Sequence, residues 1–208
     1  MHLEILSKKQ QDLLPFVAQF KRNFYLVGGT AIALHIGHRR SIDFDLFSFG
    51  KINRMRIRQK ISETRFKHNL IFEDIDQIHF VLNEVKLTFF QYPYEIEHQT
   101  KLENIITMPS LLSLAAMKAF ALGRRAKWKD YVDLYFILRN FFSIEEIMCE
   151  AKRLFGENLV SEKLFREQLA FHKDIDYREE VEYLIPNPPN DDEIRNVLIE
   201  ISVNEFVN

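Results

Sequence analysis

Apolar and polar positions alternate in two rhythms along this chain. Up to about residue 95 the apolar runs are short and strand-like, and beyond Met108 they recur at helical spacing. "FYLV", residues 24–27, ends at Gly28-Gly29, where a strand turns, and residues 30–36 are rich in Ala, Leu and Ile and predict a short helix. From Ile42 the pattern has period two, with Ile42, Phe44 and Leu46 on one side and Asp43, Asp45 and Phe47 on the other. A strand there presents both aspartates from one face. A helix is expected over residues 53–67. Residues 69–94 read as a strand followed by a hairpin that turns at Asn83-Glu84 and closes at Pro93. Further helices are expected near 110–122, 128–139, 144–155, 161–171 and 191–206. Ser143 with Glu146 and Asn190 with Glu193 have the spacing of helix-capping pairs. The fold class is therefore α+β, a mixed-sheet lobe with flanking helices over residues 1–105 followed by a helical lobe over 106–208.

With 208 residues, 47% apolar and 28% charged, the chain is long enough for one ample core or two small lobes. Its start lacks a basic run followed by an apolar stretch, and it has no apolar run of membrane-spanning length, so a cytoplasmic location and no membrane partner are expected. The single cysteine, Cys149, has no Cys or His neighbours at zinc-ligand spacing and is expected to be packing. The formal charge of -2 hides an asymmetry: residues 1–140 hold 21 Lys and Arg against 14 Asp and Glu, and the remainder 7 against 16. The front of the chain could attract a polyanion, and the tail would repel one.

Two carboxylates side by side on a half-buried strand repel each other unless a cation lies between them. Mg²⁺ suits such hard oxygen ligands and keeps coordination positions for water and substrate phosphates. The glycines complement it, because bare backbone entering a helix N-terminus can approach an anion closely. The plainer reading of Asp43 and Asp45 is a solvated edge-strand face with Arg39 and Arg40 as ion-pair partners, and that of Gly28-Gly29 is an ordinary strand-to-helix turn. Lys118 is the only charged residue over 110–122 and falls on an apolar stripe, so its ammonium needs an anion or a route to water. Asp130 and Asp133 lie three apart, with Lys129 four before Asp133 in reach of a helical ion pair. His38, Arg39 and Arg40 sit in an expected loop, where the arginines could contact phosphate. His35 reads as helix packing.

"LVGGTAIAL" followed by "SIDFDLF" resembles the signature of nucleotidyltransferases related to DNA polymerase beta. "HIGHRRS" between them, with "LAAMKAFAL" and "KDYVDLYFIL" downstream, resembles more narrowly the AbiEii/AbiGii toxin family. The resemblance runs from about Tyr25 to Leu138. It implies transfer of a nucleotide from an NTP to an acceptor with Mg²⁺ as cofactor. Gly28, Gly29 and Thr30 would form the phosphate turn, joined by Arg39 and Arg40, and Asp43 and Asp45 would hold the metal. Lys118 and Asp130 are the further catalytic candidates. It also implies the toxin half of a bacterial toxin-antitoxin pair, with an antitoxin protein as partner. Thr88 stands where such enzymes carry a third carboxylate, which leaves the general base open among Asp130, Asp133 and Glu84.

The stretch 51–67 carries seven Lys and Arg against one acid, and "ALGRRAKWK" adds Arg124, Arg125, Lys127 and Lys129 around Trp128. Two basic surfaces beside one site, with Trp128 as a stacking face, suit a long anionic acceptor, and the resemblance to the AbiEii family implies an RNA end, such as that of tRNA, as the candidate. The competing classes are a nucleotide-binding interaction protein without turnover and a transferase acting on a small molecule of antibiotic type. The site is expected in the cleft between the lobes.

Overall fold

The first helix is one the hydrophobic pattern does not announce. α1 (Lys8–Val17) starts at Ser7, whose hydroxyl accepts from the Gln10 backbone while the Gln10 side chain accepts from that of Ser7, and it buries Leu13, Phe16 and Val17. The computed structural model describes residues 1–122 and 126–204. The chain divides into two units, Met1–Ser110 and Leu111–Asn208.

In the first unit β1 (Tyr25–Val27) runs directly into α2 (Gly28–Ile36), which starts two residues before the Ala- and Leu-rich run. β2 (Phe44–Ser48) follows, then α3 (Arg54–Ser62), β3 (His68–Glu73), β4 (Gln77–Leu82) and β5 (Val85–Gln91). The strands form one sheet in the order β1-β2-β5-β4-β3, with β2 and β5 parallel and the other neighbours antiparallel. A separate hairpin of β6 (Thr100–Leu102) and β7 (Ile106–Met108), too short to show a period, completes the unit.

The sheet has two unlike faces. Phe44, Leu46, Leu87, Phe89, Ile78 and Phe80 share one face by register and are all buried. The other carries Asp45, Phe47, Thr88, Phe90 and His79. β2 begins at Phe44 rather than Ile42, so Asp43 precedes the strand and Ile42 is exposed. α3 lies on the apolar face: Phe20 touches the Phe89 ring at 4.8 Å and carries the Lys60 ammonium 5.7 Å above its own ring, while Ile57 and Ile61 are buried. The basic helix expected beside the aspartates thus backs the opposite side of the sheet, because its two isoleucines need that apolar face. Arg54 and Arg58 are also tied to Glu73.

The second unit consists of α4 (Leu111–Leu122), α5 (Trp128–Asn140), α6 (Ile144–Phe155), α7 (Glu162–Ala170) and α8 (Asp191–Val203). Ser143 and Glu146 cap α6 reciprocally, and the Asn190 side chain accepts from the Glu193 backbone to start α8. The expected end of the last helix, beyond residue 204, lies outside the described residues. Tyr131, Leu134, Tyr135 and Ile137 of α5, Ile147 of α6 and Leu198 of α8 form the core of this unit. Cys149 is exposed on α6 rather than packed, because the apolar stripe of that helix runs through Ile144, Ile147, Met148 and Ala151. No described helix is long and apolar enough to cross a membrane.

The β4–β5 turn falls at Asn83-Glu84 as expected, with φ of 53° and 64°. Glu84 there carries a side-chain strain that glycine lacks, and its exposed pairing with Lys9 offsets little of it. Glu84→Gly should raise the unfolding free energy by about 0.5–1 kcal/mol. A lower denaturant midpoint in that variant would show the Lys9 contact to be the stronger effect.

Candidate functional site

The site on the sheet is built from the β1-to-α2 turn outward. Antiparallel pairing sets Val27 opposite Asp45, and parallel pairing sets Asp45 opposite Thr88. The residue after Val27 therefore meets the Asp45 side chain. A Cβ at Gly28 would lie 2.3 Å from Asp45 Oδ2, and Gly28 has φ of 73°, so two independent constraints demand glycine there. A Cβ at Gly29 would lie 2.7 Å from Arg39 Nη2 and 3.2 Å from Ser41 Oγ. Arg39 is buried, with Nη1 donating to the Arg40 carbonyl at 3.0 Å, so a fixed positive charge sits beneath the first turn of α2. The N–H groups of that first turn point the positive end of the helix dipole the same way.

Thr30, expected among the nucleotide contacts, is fully buried. Its hydroxyl donates to the Asp43 carbonyl and lies 2.9 Å from the Ser41 hydroxyl, which pins the backbone that presents Asp43. Arg40 is half-buried and donates to the Ile5 carbonyl at 3.4 Å. Across Thr88 from Asp45 stands His79, and Lys86 lies two residues before Thr88 on the same face. Burial lowers the His79 pKa and Lys86 lowers it further, while the Asp45 carboxylate pulls it back up. Phe47, Phe90 and Tyr92 form an aromatic group beside them, with centroids 5.0–6.0 Å apart.

In the second unit Lys118 of α4 places Nζ 2.7 Å from Asp130 Oδ1 and 2.8 Å from Asp133 Oδ2, both on one face of α5. All three side chains are at most 6% exposed. The ammonium is thus held by two carboxylates instead of reaching for water, and Lys129 pairs with Glu179 at 3.4 Å instead of with Asp133. Trp128 is buried, donating from Nε1 to Asp191 Oδ1 at 3.1 Å and stacked on Tyr131, so it offers no free face to a base. Lys127 is paired with Glu179 at 2.7 Å, and Arg124 and Arg125 lie outside the described residues. Glu84, at the hairpin turn, is exposed and bound to Lys9.

Residues 16–200 match the family described as nucleotidyl transferase AbiEii toxin, type IV toxin-antitoxin system. The chain belongs to the AbiEii nucleotidyltransferase toxin family. An uncharacterized protein of Aquifex aeolicus (strain VF5) is 34% identical over 143 residues, 64% of this chain and 68% of that protein. Two solved structures share the fold. MenT4, a nucleotidyltransferase toxin from Mycobacterium tuberculosis H37Rv, superposes with a TM-score of 0.60 at 14% identity, over 93% of this chain and 80% of its own. JHP933 from Helicobacter pylori gives 0.51 at 15% identity, over 95% and 90%. The resemblance seen in the glycine and aspartate motifs is thus family membership, and this AbiEii-family chain is a nucleotidyltransferase.

His79, Lys86 and Ser41 are site neighbours that motif reading did not single out. The period-two pattern of β4 and β5 puts His79 and Lys86 on polar faces, but only the strand order brings those faces to Asp45.

Gly28→Ala should lower stability by about 1–3 kcal/mol and displace the Asp45 carboxylate, read as a lower melting temperature with lost nucleotide binding. Unchanged stability would contradict the contact. Lys118→Met removes the cation from two buried carboxylates and should cost about 3–5 kcal/mol. Adding Asp130→Asn and Asp133→Asn should recover much of that loss in a urea titration, whereas an unrecovered triple variant would place the cost in side-chain packing.

Proposed function

We propose that the AbiEii-family chain moves a nucleotide from an NTP to an acceptor hydroxyl in the cytoplasm, with Mg²⁺ held by Asp43 and Asp45. The single observation that carries this reading is the Asp45 carboxylate lying against the bare backbone of Gly28, at the mouth of a helix N-terminus. The donor set fits the ion, since Mg²⁺ takes one or two protein carboxylates and completes its shell with water and phosphate oxygens. When bound, the ion supplies charge neutralisation at the transferring phosphate.

The chain's own residues do the rest. Gly28 and Gly29 let phosphate oxygens approach the α2 amides, and the Arg39 charge beneath them favours the anion. Thr30 holds Asp43 in place through its carbonyl. Arg40, half-buried beside them, belongs to the same reading as a candidate contact to the nucleotide. Family membership implies an NTP substrate and an antitoxin partner.

For the acceptor we favour an RNA end. Its support is the excess of 21 Lys and Arg over 14 Asp and Glu in residues 1–140. On the far face of the sheet Arg56 and Lys60 of α3, with Lys51 just before it, line a pocket together with Asn53 and Ser48.

Asp45→Asn should abolish Mg-NTP binding and lower nucleotide transfer about a hundredfold or more, with the fold intact by circular dichroism. Labelled NTP offered with total RNA, total protein and a panel of small hydroxyl compounds reads both claims together. Unaltered Mg-NTP affinity in the variant would overturn the metal assignment, and label only on protein or a small molecule would overturn the RNA acceptor.

A further inference from the structure

β3 is the last strand of the sheet, hydrogen-bonded to β4 alone. The Asn83 N–H donates to the Lys67 carbonyl at 3.0 Å and the Asp74 N–H to the Gln77 carbonyl at 2.9 Å, which points both of those residues at β4. Alternation along the ladder then turns the backbone groups of His68, Leu70 and Glu73 outward. The side chains along this edge are apolar and exposed: Leu70 43%, Ile71 53%, Phe72 45% and, just beyond, Ile75 83%. Residues 68–73 contain no Lys or Pro to blunt the edge, and the only irregularity is a bulge between Leu70 and Phe72.

The charges at its two ends are opposite. Arg65 and Lys67, both exposed, precede the strand, and exposed Asp74 follows it, while Glu73 is already held by Arg54 and Arg58. We propose that β3 pairs antiparallel with β3 of a second copy of this chain, across a two-fold axis near Leu70 and Ile71. That arrangement sets Lys67 of each copy against Asp74 of the other and brings the exposed apolar side chains together. Parallel pairing would set like charge on like and leave no two-fold axis across the edge. Edge-to-edge addition is a recurrent use of unpaired strand backbone, and here charge complementarity selects the same strand as its partner. The proposal stands apart from the nucleotidyl-transfer site, since it uses the opposite edge of the sheet from β1.

The test is the solution mass of the full chain by sedimentation velocity over a concentration series. A dimer is expected, and Ile71→Lys should shift it to the monomer without lowering the melting temperature, because Ile71 packs against little within its own copy. Lys67→Glu alone and Asp74→Lys alone should each raise the dimer dissociation constant at least about tenfold. Mixing those two variants should restore the dimer, since each end then meets its opposite charge again. Amide exchange at His68, Leu70 and Glu73 should slow as concentration rises. A native chain that stays monomeric throughout would overturn the proposal, as would a dimer indifferent to Ile71→Lys, a mixture that fails to re-associate, or an edge protected only when a different protein is added.

Discussion

Everything at the candidate active site depends on one close approach, that of the Asp45 carboxylate to the main chain of Gly28. Two strand pairings produce it. β1 runs antiparallel to β2 with Val27 opposite Asp45, so the chain leaving β1 must pass the carboxylate, and it can pass only where there is no side chain and φ is positive. The same step starts α2, which aims its first N–H groups at the space beside the carboxylate. The N-terminal end of a helix and a carboxylate are thereby held next to each other. Arg39 and Thr30 brace this junction from within, one with a buried charge under Gly29 and the other by tethering the Asp43 backbone.

The helical unit meets a similar electrostatic problem by another route. Asp130 and Asp133 project from one face of α5 into an almost water-free environment, where either charge alone would be costly. Lys118 from α4 offsets both. A buried cluster of this kind contributes little net stability compared with apolar packing, yet it enforces a specific pairing of the two helices, because any slip would strand a charge. It also explains why a lysine occupies an otherwise apolar stripe.

Sheet position governs the remaining features. The apolar face is satisfied by Phe20, Ile57 and Ile61, which draws the basic helix α3 away from the aspartates despite its closeness in sequence. The opposite face is left to Asp45, Thr88, His79 and Lys86. The outermost strand, having a neighbour on one side only, presents its backbone and three exposed apolar side chains to whatever can complete the sheet.

Local chemistry along the chain was enough to place the glycine turn, the hairpin at Asn83-Glu84, the capped starts of α6 and α8, and the mixed α+β class with its helical second part. Those signals involve residues only a few positions apart, where backbone preference and side-chain spacing act directly. The family signature in the glycine and aspartate motifs was legible for the same reason, since both blocks lie within one strand-helix-strand unit. What the chain could not announce was which strand lies beside which, and hence that His79 and Lys86 stand on the Asp45 face while the basic α3 does not. Nor could it show that Lys118 meets Asp130 and Asp133, that Trp128 is core, or that Cys149 faces solvent. Each of these was decided by tertiary packing, because a charge or an aromatic ring takes its environment from elements distant in sequence, and only the folded chain brings those elements into contact.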